Sequence, residues 1–356
     1  MKSYSLLLSI LFFFNTIACS QSGTAPTMKD DSPEIYNTTD PFKINESLGT
    51  GVNLGNALEA PSEGEWGMVI REEYLQLIAD AGFQSVRIPI RWNAHAGYSS
   101  PYKIDEAFFE RVDEVIGWGF NNNLKVIINI HHYNELMESP QNHKERFLAL
   151  WTQIAEHFQD YPNDLVFEIL NESHANLTSA FWNNYLELAI NTIRKTNKER
   201  ILMIGTAPWG GFDGIQTLDL PENDQQLIVT VHYYNPFQFT HQGASWAGEE
   251  SDNWLGTTWT GTPQEKTAVD DDFNRVEQWA AENNRPIHIG EFGAYEAAPL
   301  KSRIHWTAYI RSSAEQRDFS WAYWEFGAGF GIYDRSNNQW REGLLKALLP
   351  NTNVVE

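Results

Sequence analysis

Residues 165–174 read LVFEILNESH. From Leu165 to Leu170 the run is almost wholly apolar, and Asn171, Glu172, Ser173 and His174 follow at once. A short apolar run of this kind fits a strand buried on both faces, as in parallel sheets covered by helices. An unpaired buried carboxylate costs several kcal/mol or shifts its pKa. Glu172, set just past the strand, therefore marks either an ordinary loop or the wall of a cleft.

The same unit recurs along the chain. Strands are expected at 49–55, 85–90, 124–130, 165–170, 199–205, 226–234, 285–292 and 319–326. Helical spacing lies between them at 72–82, 105–120, 143–160, 179–196, 268–284 and 300–316. A weak helical segment falls near 213–218, and a helix at 341–349 closes the chain. Eight strands alternating with helices over roughly 300 residues predict an α/β fold, a single-domain (β/α)8 TIM barrel spanning 45–350. No GxGxxG follows the first strand, which argues against an open dinucleotide-binding sheet.

The composition is that of a globular protein, with 42% hydrophobic and 20% charged residues among 356. A net charge of −22 excludes the basic footprint of a nucleic-acid partner. Fourteen Trp exceed what a core needs, and flat rings on a surface suit flat ligands. Residues 1–19, MKSYSLLLSILFFFNTIAC, carry Lys2, an apolar stretch too short to span a bilayer, and Cys19, the only cysteine. They are expected to form a lipoprotein-type signal with Cys19 as the lipidation site. A plain secretory signal that discards Cys19 is the alternative. The polar stretch 20–44 reads as a flexible tether. The expected location is secreted and lipid-anchored to a bacterial outer membrane or cell surface. The anchor is the only expected membrane contact.

In such barrels active sites lie at the C-terminal strand ends. Here those ends carry Asn53, Asn56 and Glu59 (first strand), Arg87 (second), His131 and His132 (third), Asn171 and Glu172 (fourth), His232 and Tyr234 (sixth), Glu291 (seventh) and Trp324 (eighth). Glu172 and Glu291 suggest paired-carboxylate chemistry, as in glycoside hydrolysis. Plainer readings exist: Glu291 as a structural ion-pair partner of Arg87, or Asn56 and Glu59 as turn residues. His131 and His132 do not read as a metal pair, because adjacent strand residues point opposite ways.

Taken as a set, SVRIPI, INIHHY, EILNES, VHYYNP, HIGEFG and WAYWEF resemble glycoside hydrolase family 5, of cellulases and mannanases, over about 45–350. The resemblance implies that Glu172 is the acid/base and Glu291 the nucleophile. It implies supporting roles for Arg87, His131, Asn171, His232 and Tyr234, and sugar subsites lined by Asn56, Glu59, His132, Trp246 and Trp324. Ser173 stands where the family usually has Pro, and Asn129 where many members have Asp. The implied activity is retaining endo-β-1,4-glycanase action on β-glucan, with glucomannan as a further substrate. A strict mannanase, a xyloglucanase or a non-catalytic glycan-binding lipoprotein are the alternatives. A polysaccharide is the expected partner, acted on by a monomer, with no metal or cofactor implied. The roles require Glu291 ionised, its pKa lowered by Arg87, and Glu172 protonated, its pKa raised.

Overall fold

A computed structural model of the chain describes residues 39–351. The expected signal at 1–19 and most of the expected tether lie outside them. The tether's last residues are corrected: Pro41–Leu48 form helix α1, capped by Asp40 accepting from the Phe42 N–H, with Pro41 opening the first turn. Leu48 then enters the lower barrel interior with Ile127, Val166, Ile201, Met203 and Ile228, and Ile44 packs against them. A polar composition hid this helix, whose apolar face is only Ile44 and Leu48.

Eight parallel strands close into a barrel, in chain order from β1 back to β1. They are β1 (Thr50–Asn53), β2 (Ser85–Ile88), β3 (Lys125–Asn129), β4 (Leu165–Glu168), β5 (Leu202–Gly205), β6 (Leu227–Tyr233), β7 (Ile287–Phe292) and β8 (Ser320–Tyr323). Their residues are buried on both faces almost throughout, as the apolar runs predict. The main helices are α2 (Glu72–Ala81), α3 (Glu106–Asn121), α5 (Pro140–His157), α6 (Ser179–Ile193), α8 (Pro263–Asn283), α9 (Leu300–Glu315) and α10 (Glu342–Leu348). Short α4 (Asn134–Glu138) and α7 (Phe237–Thr240) lie in loops after β3 and β6. A second apolar cluster fills the layer between strands and helices.

Three elements differ from expectation. Helix α8 begins earlier than 268, because Thr262 and Glu265 form a reciprocal capping box with Pro263 in the first turn. The weak segment near 213–218 is a 3-10 helix at Phe212–Thr217. A small antiparallel pair, β9 (Tyr333–Asp334) and β10 (Gln339–Trp340), follows β8.

Register sets the site. Asn53, Arg87, Ile127 and Val166 are neighbours across β1 to β4, and Asn129 pairs with Glu168 two residues higher. Side chains alternate along a strand, so Arg87, Val166 and Glu168 share the barrel interior.

At the opposite end, Arg200 is buried before β5. Its guanidinium donates to the carbonyls of Phe158, Tyr161, Pro162 and Leu165, tying the α5–β4 turn to the barrel. Burial and nearby Arg194 hold its pKa down at about 10. Arg200→Ala takes a donor from all four carbonyls, of which those of Phe158 and Pro162 keep a backbone partner, and is expected to remove about 3 kcal/mol of stability. Thermal and urea unfolding check the loss, and turnover at low temperature should be unchanged.

Candidate active site

Arg87 is the hub of the barrel mouth and is completely buried. Its Nε and Nη2 donate to the two carboxylate oxygens of Glu168, and Nη2 also donates to Asn171 Oδ1 at 2.8 Å. Its Nη1 donates to Asn53 Oδ1 and to Glu291 Oε1, each at 2.8 Å. Burial alone would lower the guanidinium pKa, but Glu168 and Glu291 beside it raise it instead. One cation thus fixes side chains from β1, β4 and β7. Asn53 is held in turn by the carbonyls of Gly290, Ala322 and Tyr323. Glu168 escaped the sequence reading. The available signal was its place in an apolar run, one alternation above inward-facing Val166.

Glu172 and Glu291 converge on this hub. A carboxylate oxygen of each lies within 4.8 Å of the other and of a His232 nitrogen. Glu291 Oε2 accepts from the Tyr234 hydroxyl at 2.9 Å, so both its oxygens are held. Glu172 Oε1 is 2.8 Å from His232 Nδ1. Two glycines make room for that imidazole. A Cβ on Gly210 would lie 3.1 Å from the ring at a φ of +62°, and one on Gly290 would lie 3.0 Å from Nε2. A cation held by Glu172, His232 and Glu291 would stand beside the Arg87 guanidinium, like charge against like.

The expected proton assignment is corrected. Burial raises the Glu172 pKa, but the His232 hydrogen bond and the charges of His232, Arg87 and His132 together outweigh it, leaving Glu172 below the usual glutamate value. Burial lowers His232, yet Glu291 and Glu172 together carry it above its usual value. Burial raises Glu291, and the His232 and Arg87 charges do not fully offset that, so it sits above the usual value. The acidic proton therefore rests on His232, one 2.8 Å hydrogen bond from Glu172. Tyr234, raised by burial and by Glu291, stays a protonated donor.

The other expected residues surround this centre. The His131 ring lies parallel to Trp324 at 5.7 Å, and His132 stands at 77° to His131. Burial first, then Arg91, holds His132 down at about 4. Asn56 has a φ of 65° at the head of the β1–α2 loop. Glu59 is 1% exposed, and its carboxylate accepts from the Asn56 and Ala57 N–H groups. That geometry makes Glu59 a loop-shaping residue set behind Asn56, with a pKa that burial pushes up to about 7. Trp246 is 63% exposed and rests edge-on against Tyr295.

Two further exposed tryptophans were not singled out in the sequence. Trp66, on the β1–α2 loop, meets His132 edge-on at 5.6 Å. Trp209, on the loop after β5, stacks on His174 at 3.7 Å, and its backbone N–H donates to the Ser173 carbonyl beside Glu172. In an eight-strand barrel the β1 and β5 loops stand on opposite sides of the mouth.

Comparison with known proteins places this geometry. The Cellulase (glycosyl hydrolase family 5) model matches residues 47–329. Endoglucanase H of Acetivibrio thermocellus is 37% identical over 316 residues, covering 87% of this chain and 33% of that protein; the chain thus spans about a third of that relative. Endoglucanase B of Clostridium cellulovorans is 30% identical over 362 residues, 94% of this chain and 80% of that protein. The solved endoglucanase Cel5A of Thermotoga maritima is 54% identical, with a TM-score of 0.86 over 87% of this chain and 100% of that one. That protein has also been solved with mannotriose and with cellobiose. A family match over most of the barrel, joined to paired glutamates at its mouth, settles the assignment: the chain belongs to glycosyl hydrolase family 5 and is a cellulase-like glycoside hydrolase.

Proposed function

We propose that this chain is a retaining endo-β-1,4-glycanase that cleaves β-glucan, and glucomannan as well, by double displacement. The observation that carries the reading is the spacing of Glu172 and Glu291, with carboxylate oxygens within 4.8 Å. Retaining enzymes hold their two carboxyls about 5–5.5 Å apart, and inverting ones need about 6.5–9.5 Å to admit water.

Glu291 attacks the anomeric carbon, its two oxygens oriented by Arg87 and Tyr234. The proton held between His232 and Glu172 passes through Glu172 to the glycosidic oxygen, and the leaving sugar departs. Esterified Glu291 no longer bears a charge. Glu172 then takes a proton from water, whose oxygen attacks the same carbon and frees Glu291 as a carboxylate. The Oδ1 of Asn171 is taken by Arg87, so its Nδ2 is left to donate to a sugar hydroxyl.

Exposed tryptophans on loops at opposite sides of the mouth, Trp66 and Trp209, support endo action by offering stacking surfaces for sugars beyond the scissile bond, with Trp324 as a floor for the ring being cleaved. Binding of both cellobiose and mannotriose by Thermotoga maritima Cel5A supports tolerance at the sugar C2 position. Lipidation at Cys19, a surface location and action as a monomer complete the proposal. They rest on the N-terminal sequence and on the absence of any demand for a second chain in this mechanism.

Four outcomes are expected. Glu291→Gln should lower reducing-end release from carboxymethylcellulose, barley β-glucan and glucomannan on the order of 10⁴-fold. Glu172→Gln should lower it about 10²–10⁴-fold, and far less on an aryl glycoside whose leaving group needs no proton. Equal release by wild type and Glu291→Gln contradicts the assignment. In the pH profile of kcat/KM, activity falls toward acid as Glu291 is protonated, at a pH above the ordinary glutamate value of 4.5. It falls toward alkali as the shared proton leaves His232, above the ordinary histidine value of 6.5. Limbs at or below those values contradict the proton assignment. Labelled palmitate should enter the full chain in a bacterial host and fail to enter Cys19→Ala; equal labelling contradicts the anchor.

A further inference from the structure

His131 lies two residues past the end of β3, at the barrel mouth, and among the described residues Asn129 is the polar partner of its side chain. The two ends of a carboxamide are told apart by what they touch. The Ile90 backbone N–H can only donate, and it lies 3.1 Å from Asn129 Oδ1. The oxygen end is thereby committed, and the NH2 end is the one 3.1 Å from His131 Nδ1. An amide NH2 can only donate, so Nδ1 must present a lone pair. A neutral imidazole with a bare Nδ1 carries its proton on Nε2.

The surroundings hold both residues in this arrangement. The His131 N–H donates to the Ile90 carbonyl at 2.8 Å, so residue 90 grips Asn129 and His131 together. The Trp92 indole N–H donates to the Asn129 carbonyl at 2.9 Å. A second proton on the ring would set N–H against NH2. Burial, with His132, Arg87, His232 and Arg91 nearby, also keeps the ring uncharged. The imidazole plane lies within 3° of the Trp324 ring plane, so its in-plane N–H runs parallel to that floor.

We infer that Asn129 is a positioning residue that locks His131 in the Nε2–H form, so that His131 gives the bound sugar a hydrogen-bond donor and cannot accept a hydroxyl proton. The sugar half of this assignment rests on the proposed glycanase function; the tautomer half does not. Together with Asn171 Nδ2, it furnishes N–H groups, which recognise oxygens by their lone pairs.

The test is long-range proton–nitrogen NMR on the full barrel with 15N-labelled histidine, His131 being assigned by its loss in His131→Gln. The wild type should show a protonated Nε2, a bare Nδ1 and no titration from about pH 5 to 8. In Asn129→Asp the carboxylate accepts where the amide donated, so the proton should move to Nδ1, and kcat/KM on cello-oligosaccharides should fall about tenfold or more. A wild-type Nδ1–H, or a ring that titrates near the ordinary histidine value, overturns the proposal without need of a variant. So does an Asn129→Asp spectrum unchanged from wild type. Unchanged kcat/KM with a flipped tautomer overturns the donor role to sugar. A wild type with the expected spectrum but no hydrolysis of any glycan leaves the tautomer assignment standing and refutes the glycanase reading.

Discussion

The mouth of this barrel depends on one buried cation. Arg87 has no access to solvent, and an unpaired charge there would cost several kcal/mol. Glu168 neutralises it through a two-point pair, and that pairing is what allows Arg87 to remain charged inside the barrel. The donors left over then point at Asn53, Asn171 and Glu291. The structural pair and the alignment of Asn53, Asn171 and Glu291 are therefore one object. Removing Glu168 would leave Glu291 as the one carboxylate paired with the buried guanidinium and free two of its donors, although Glu168 itself stands two alternations before Glu172.

Placing the carboxylates this close also decides where the proton rests. Two anions within 4.8 Å in a buried site favour a positive charge between them, and His232 supplies it. In the proposed mechanism the acid is thus a pair, Glu172 with His232, that shares a proton across one hydrogen bond. Such a pair answers the changing charge on Glu291. While Glu291 is an anion the proton is drawn to His232, and once Glu291 is an ester that attraction disappears. Gly210 and Gly290 belong to the same device, since a methyl group at either position would press on the imidazole.

Much of this was legible in the residues, and the exceptions have physical causes. Each of the eight strands is a short apolar run, so buried on both faces that no alternation was needed to find it. The polar groups past the strands were legible because nothing in core packing accounts for them. Helix α1 was not, since its burial is limited to Asn45 and Leu48 and its surroundings are polar. Glu168 was masked by the apolar residues around it, and its register and its pairing with buried Arg87 show that it faces inward. The proton assignment was not legible either. Sequence shows that Arg87 can lie near Glu291, but whether burial or that charge prevails depends on a distance. Trp66 and Trp209 needed exposure and ring contacts to stand apart from the core tryptophans.

The central claim is that Glu291 forms a bond to sugar while Glu172 handles the proton. It is tested most directly by trapping that bond. A 2-deoxy-2-fluoro cellobioside with a good leaving group slows both steps, and the covalent species accumulates. After peptic digestion, the account predicts a mass increase of one fluorinated disaccharide on the peptide containing Glu291, with activity recovering as the adduct turns over. No adduct on an enzyme that still hydrolyses glucan, or an adduct on any other residue, would contradict it.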